Sequence, residues 1–283
     1  MDRLEIGDIV CRRSYGGDIL FKIINIDEEK KVAAIKGLDV RLIADAPLQD
    51  LEKPVNHKIC DMQEKYKMKA RGCMSRIIKQ RSMYRETLRK SNSGESFFDI
   101  PGKVLHLDGD SEYLKECLKA YKNLDIRAEG IYVPEKQQPE AVDELLRKVK
   151  PDILVLTGHD AYLKGKKNFK ELNNYRNSKY YVRSTIIARK YVPDKDSLVI
   201  FAGACQSHYE ALLEAGANFA ASPQRVLIHC LDPVFLIEKI AYTSIKQTVN
   251  IFEAINNTIT GIDGLGGIET QGTFRLGLPK SPY

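Results

Sequence analysis

A chain of 283 residues, 43% hydrophobic and 29% charged, can bury a sizeable core and form two domains or one large one. No apolar run approaches the ~20 residues that cross a bilayer. The opening Met1-Asp2-Arg3-Leu4-Glu5 lacks the apolar stretch of a secretory signal, so neither a membrane partner nor secretion is expected. The six cysteines, Cys11, Cys60, Cys73, Cys117, Cys205 and Cys230, are scattered singly. They form no CxxC pair and no zinc-type spacing, which predicts free thiols in a reducing compartment and no metal site.

The net charge of +6 is uneven. Residues 57–92 hold eleven Lys/Arg against three Asp/Glu, and the remainder is 33 basic against 35 acidic. A nucleic-acid partner would have to bind this one segment, because the rest of the chain has no basic excess.

In chain order, residues 4–50 contain short Val- and Ile-rich runs at 6–12, 19–26, 32–36 and 40–43. They are punctuated by Gly16-Gly17, Asp27-Glu28-Glu29 and Gly37. This spacing predicts a small SH3-like β-barrel over 1–52. Residues 55–90 hold no Pro and a single Gly, which predicts a basic helical linker within 53–98, broken at Ser91-Asn92-Ser93-Gly94. From Pro101 the pattern alternates. Strands are expected at 104–107, 131–133, 152–156, 198–201, 219–221 and 225–229, with helices at 114–121, 141–149, 169–191 and 208–215. Asp232-Pro233 opens a further helix to about residue 246. Such alternation predicts an α/β domain over 99–283, a mostly parallel sheet sandwiched by helices.

Ligands of open parallel sheets bind at the carboxyl ends of the strands. Three such ends carry reactive groups: Asp108-Gly109-Asp110, Thr157-Gly158-His159-Asp160 and Ala202-Gly203-Ala204-Cys205-Gln206-Ser207. A thiol becomes a useful nucleophile as the thiolate, and a neighbouring imidazole can generate it. Cys205 and His159 are one βαβ crossover apart, which predicts nucleophile and base on neighbouring strands. Gly158, and the N–H of Cys205 at a helix start, could hold an oxyanion. His208 is a rival base, pointing along its helix. His106 and His229 read as structural groups, and His57 belongs to the linker. Cys230 beside His229 imitates a dyad, but adjacent strand residues face opposite ways. Gly264-Leu265-Gly266-Gly267 lacks the strand–loop–helix context of a phosphate loop and reads as a flexible loop lining the site.

An apolar strand ending in a His turn, followed by one ending in Ala-Cys, resembles the caspase–legumain–gingipain–clostripain clan. More closely, the chain resembles the YabG-type sporulation peptidases of endospore-forming bacteria. The likeness spans Ile6-Gly7-Asp8, Arg41-Leu42-Ile43-Ala44-Asp45 and Val104-Leu105-His106-Leu107-Asp108-Gly109-Asp110. It continues through Leu156-Thr157-Gly158-His159-Asp160-Ala161-Tyr162, Phe201-Ala202-Gly203-Ala204-Cys205-Gln206-Ser207-His208 and Gly264-Leu265-Gly266-Gly267-Ile268-Glu269-Thr270.

The resemblance implies a caspase-like fold and a cysteine endopeptidase that processes spore coat and related proteins. It implies work in the mother-cell cytoplasm or forming coat, without metal or organic cofactor. It carries the nucleophile and base onto Cys205 and His159. The clan usually has His-Gly where this chain has His159-Asp160, which leaves Asp160 to orient the base, bind substrate or cap the next segment. Clan members often read the residue before the cut just after the first sheet strand. That would place Asp110 in the S1 pocket, receiving Arg or Lys, with Asp108 holding the imidazole. A Gly-centred turn capped by Asp side chains is the competing reading of the same residues. Arg76, Arg81, Arg85 and Arg89 then become sites of self-processing in the linker. The competing function is a non-enzymatic protein that binds RNA or a scaffold through its barrel and basic helix. Oligomeric state is not legible.

Overall fold

The computed structural model describes residues 3–91 and 97–281; the side chains of 88–91 are outside the description. The break expected at 92–94 and the side chain of Arg89 therefore lie outside the described residues. Five short strands open the chain: β1 (Ile9–Arg12), β2 (Phe21–Asp27), β3 (Val32–Gly37), β4 (Ile43–Pro47) and β5 (Leu51–Glu52). They form an antiparallel sheet in the order β4-β3-β2-β1-β5. Alternate residues Phe21, Ile23, Ala33, Ile35 and Ala46 turn inward onto Val10 and Leu51 to make a small core.

The basic segment is one long helix, α1 (Asn56–Ser91). Most of it faces solvent, but Cys73 and Ile77 are buried in the main core. Its arginines are also engaged. Arg76 donates to the Asn256 carbonyl at 3.3 Å and Arg85 pairs with Asp99 at 2.8 Å. Arg81 donates to the Leu124 carbonyl at 2.6 Å and lies 4.2 Å from the Tyr242 ring centre. The basic segment is thus helical, as expected, and docked along part of its length.

The remainder is α/β. Its elements are β6 (Phe98–Ile100), β7 (Val104–Asp108), α2 (Ser111–Asn123), β8 (Ala128–Tyr132), α3 (Gln138–Val149), β9 (Ile153–Thr157) and α4 (Ser178–Tyr191). They continue with β10 (Val199–Ala202), α5 (Tyr209–Glu214), β11 (Phe219–Ala221), α6 (Asp232–Tyr242), α7 (Ile251–Asn256), β12 (Leu265–Gly267) and β13 (Arg275–Gly277). The main sheet runs β12-β11-β10-β9-β7-β8. Strands β8 to β11 and β7 are parallel; β12 is antiparallel at the edge. The central strands are apolar at nearly every position because both faces are covered. Val104, Ile153, Val155, Val199 and Phe201 pack in one layer with α2 and α6, while Leu105, Leu107, Leu154, Leu156 and Ile200 pack in the other with α3 and α4.

Five local expectations differ. Residues 161–177 are mostly loop, so the fourth helix starts at Ser178 and not near 169. Residues 225–229 form no strand, and α6 ends at Tyr242. Leu265–Gly267 is a strand on the sheet edge and not a flexible loop. Gly267 fits because a Cβ there would come within 2.3 Å of the Phe219 ring. Finally, residues 40–42 do not continue β4. They leave the small sheet and make isolated bridges to the main body, Val40 with His229 and Leu42 with Asp160.

Candidate active site

The parallel register sets the site. Leu156 lies opposite both Leu107 and Ala202, so β7, β9 and β10 end level with one another. Asp108 ends β7 and Asp110 follows it, His159 follows β9 and Cys205 follows β10, all on one sheet edge. All four are buried, with Asp108 and Cys205 at 0%, His159 at 2% and Asp110 at 6% exposure.

His159 is held from several sides. Its Nε2 lies 2.8 Å from Asp110 Oδ2. Its backbone N–H donates to Glu135 Oε1 at 2.7 Å, and its carbonyl accepts from Asn177 Nδ2 and Tyr181 Oη at 2.8 and 3.1 Å. Burial alone would raise the Asp110 carboxyl, but hydrogen bonds from His159 and Lys36 hold it well below the usual carboxylate range. An ionised Asp110 accepts, so in the neutral ring Nε2 is the nitrogen that bears hydrogen and Nδ1 is the one that can act as a base. Nδ1 is buried and has no hydrogen-bond partner among the described residues. That nitrogen is free to take a proton.

Asp110 also caps α2, accepting from the N–H groups of Glu112 and Tyr113 at 2.8 and 3.0 Å. Asp108 does not touch His159. Its Oδ2 pairs with Arg41 Nη1 at 2.8 Å, and its Oδ1 accepts from the Asp110 N–H at 2.9 Å. The acid beside the imidazole is thus Asp110, two residues further along than the expected Asp108. The reason is the N-cap geometry, which turns Asp110 back across the strand ends.

Cys205 sits in the turn after β10, while α5 starts at Tyr209, so its N–H is not at a helix start. Its thiol donates to the Ile228 carbonyl at 3.6 Å and accepts from the Ile228 N–H at 3.2 Å. No hydrogen bond joins Cys205 to His159 among the described residues. Burial pushes the thiol up to about 12, only partly opposed by backbone N–H groups of Ile228 and Arg41, so it is protonated at neutral pH.

Gly158 has a φ of +155°, and a Cβ there would come within 2.3 Å of Glu135 Oε1. Glu135 packs equally close over Gly109. Both glycines therefore let one carboxylate brace two strand ends. Asp160 does not orient the imidazole. Its carboxylate accepts from Ala161 N, Asn177 N, Ser178 Oγ and Ser207 Oγ, tying the ends of β9, β10 and the start of α4 together. His208 caps α5 and sits 3.1 Å from the Lys170 carbonyl; His106 is enclosed between Thr157 and Tyr121. Neither reaches Cys205.

Sequence reasoning missed Glu135, Lys36 and Ile228, which lie far from the motifs, and Tyr113, which follows Asp110 by three residues. It also gave no role to Arg41, although a lone charge inside the apolar run 40–43 is a usable signal. His106, Asp108 and Cys117 bring ligand atoms within 4.8 Å of one another, as a metal site would. Arg41 already bonds to Asp108 and to Cys117 Sγ (3.4 Å), so the chain supplies the cation there itself. Among the described residues, no helix is long and apolar enough to cross a membrane.

Comparison with known proteins fits this arrangement. The family model described as YabG peptidase U57 matches residues 5–279. A curated relative, the sporulation-specific protease YabG of Bacillus subtilis (strain 168), is 45% identical over 286 residues, covering 98% of each chain. No solved structure matches. The match runs through the small N-terminal sheet, α1, the main sheet and every strand end described above, and the chain belongs to the YabG peptidase U57 family.

Proposed function

We propose that this peptidase is a cysteine endopeptidase of sporulation, with Cys205 as nucleophile and His159 as general base. The observation that carries the reading is the unpartnered, buried Nδ1 of an imidazole whose other nitrogen is fixed by an ionised Asp110, on the strand next to that of Cys205. In the reaction, Nδ1 takes the thiol proton and sulfur attacks the scissile carbonyl. The tetrahedral oxyanion is held by N–H groups near Gly158 and Cys205. The imidazolium then gives its proton to the leaving amine, and water releases the acyl group from the thioester. The caspase-like sheet and SH3-like N-terminal unit belong to the same reading.

The cut is expected after Arg or Lys. Two buried carboxylates lie at the β7 edge, and Asp110 is committed to His159, Lys36 and the helix cap. Asp108, whose partner in this conformation is already a basic side chain, Arg41, is then the carboxylate proposed to receive the substrate's Arg or Lys. Spore coat and related proteins are the proposed substrates. Self-processing in the basic segment is part of the proposal, although Arg76, Arg81 and Arg85 lie in a docked helix that would first have to unwind. Intact masses of the active chain and Cys205→Ala test that step, and a wild-type chain that never shortens ends it.

The test of the main reading is hydrolysis of arginyl peptides by wild type, Cys205→Ala and His159→Ala. Both variants should lose on the order of 10³-fold or more in rate while keeping wild-type melting. A Cys205→Ala chain that still cleaves would refute it.

A further inference from the structure

The connection from β3 to β4 enters the main body at the candidate site. The Asp39 carbonyl accepts from the Cys230 N–H at 2.8 Å, and the Arg41 N–H donates to the Ile228 carbonyl at 3.2 Å. Val40 and His229 form an antiparallel bridge between these links. Residues 39–41 thus run antiparallel along 228–230, beside the same Ile228 that brackets the Cys205 thiol. Leu42 then bridges to Asp160, the residue after His159.

Arg41 points down from this segment and is fully buried. Nη1 meets Asp108 Oδ2 at 2.8 Å; Nη2 meets the Cys230 carbonyl at 3.0 Å and Cys117 Sγ at 3.4 Å. The guanidinium lies 5.3 Å from the Tyr113 ring centre. Alternate backbone pairing with one side chain in a charged pocket is how an added strand is recognised as a peptide ligand. We propose that residues 39–42 are an internal occupant of the substrate cleft, with Arg41 filling the pocket that reads the basic residue before the cut and Asp108 as the specificity-determining carboxylate. The proposal rests on the peptidase reading of Cys205 and His159, and it makes the described conformation a latent one.

Local geometry favours a plug over a substrate. The Leu42 N–H donates back to the Val40 carbonyl at 2.8 Å, and the Leu42 carbonyl accepts from the Gly37 N–H at 2.9 Å. The bond after Arg41 is therefore folded into a tight turn, and its amine is already engaged. Tyr113 Oη donates to the Gly37 and Val40 carbonyls, which clamps the turn over the site. Lys36, from the same small sheet, sits 2.8 Å from the Asp110 oxygen that serves His159. Being tethered between β3 and β4, the plug has a high effective concentration that a free peptide must overcome.

The test is hydrolysis of a fluorogenic arginyl peptide by the full chain, with melting followed in parallel, in wild type, Arg41→Gln, Arg41→Lys and Cys205→Ala. Arg41→Gln should run at least ten times faster than wild type, Arg41→Lys should fall between, and Cys205→Ala should be silent. In the Arg41→Gln background, Asp108→Asn should raise KM for the arginyl peptide about a hundredfold with a far smaller change in kcat. Hydrogen exchange supplies a second readout on wild type: an arginyl peptide aldehyde should deprotect residues 37–43 as it displaces them. A folded Arg41→Gln no faster than wild type overturns the proposal, as does a cut after Arg41 that Arg41→Gln abolishes together with activity. Should Arg41→Gln fail to fold, Arg41→Lys at the wild-type rate, or unchanged exchange with the aldehyde bound, overturns it. Failure of the peptidase reading looks different: no variant would cleave, or Cys205→Ala would cleave as well as the rest.

Discussion

Asp110 does three things with one carboxylate: it fixes the His159 tautomer, pairs with Lys36 and caps α2. Substitution by Asn keeps an N-cap of comparable strength but removes the anion. Asp110→Asn should therefore lower kcat on the order of 10²-fold with KM nearly unchanged, because the base is misoriented and the pocket is not. An equal rise in KM would place Asp110 in the pocket after all. The same carboxylate gives a pH signature. Its folded pKa is depressed by His159 and Lys36 despite the burial that pushes the other way. Below about pH 4 the unfolded chain takes up a proton that the folded chain refuses. Its stabilisation is thus fully present above that pH and lost as pH falls. The stability gap between wild type and Asp110→Asn should be constant above about pH 4 and narrow below it; a gap that stays constant into stronger acid would contradict the assignment.

At the scale of elements, α1 is the informative case. Its composition reads as a solvated helix, and its length and position follow from the absence of Pro and of all but one Gly. What composition does not reveal is that Cys73 and Ile77 reach the main core and that Arg81 stacks on Tyr242. These contacts depend on where α6 and α7 lie, which no local pattern encodes. Ile77 is 1% exposed and Met68, on the same helix, 65%. Ile77→Ala should cost about 2–5 kcal/mol in unfolding free energy, while Met68→Ala should stay within about 0.5 kcal/mol. Urea unfolding of the two variants checks this; equal losses would mean that α1 is not docked as described.

The strands tell the complementary story. Runs such as 152–156 and 198–201 were legible because strands buried on both faces must be apolar throughout. Their ends were legible too, since Gly158 precedes His159 and Gly203 lies two residues before Cys205. The partners of those ends were not. Which of Asp108 and Asp110 meets the imidazole depends on the N-cap turn of α2, and the stretch 40–43 looks like a strand of the small sheet although only Ile43 remains in it. Tertiary pairing with 228–230 wins there over local β-propensity.

For the whole molecule, the two sheets are joined through chemistry as well as contact. Arg41 and Lys36 leave the small sheet and meet Asp108 and Asp110, the two acids of the site. A buried ion pair such as Arg41–Asp108 adds little net stability but is costly to break from one side, by roughly 3–5 kcal/mol. The N-terminal unit is thereby tied by two ion pairs to the sheet edge that carries His159 and Cys205.

The central claim, that Cys205 carries out peptide hydrolysis directed to basic residues, is tested most directly by mass analysis of a peptide library digested with wild type, Arg41→Gln and Cys205→Ala. New carboxyl termini should appear at Arg, with fewer at Lys, from both chains that retain Cys205 and none from Cys205→Ala. Fragments from Cys205→Ala, or cuts without preference for a basic residue, would contradict it.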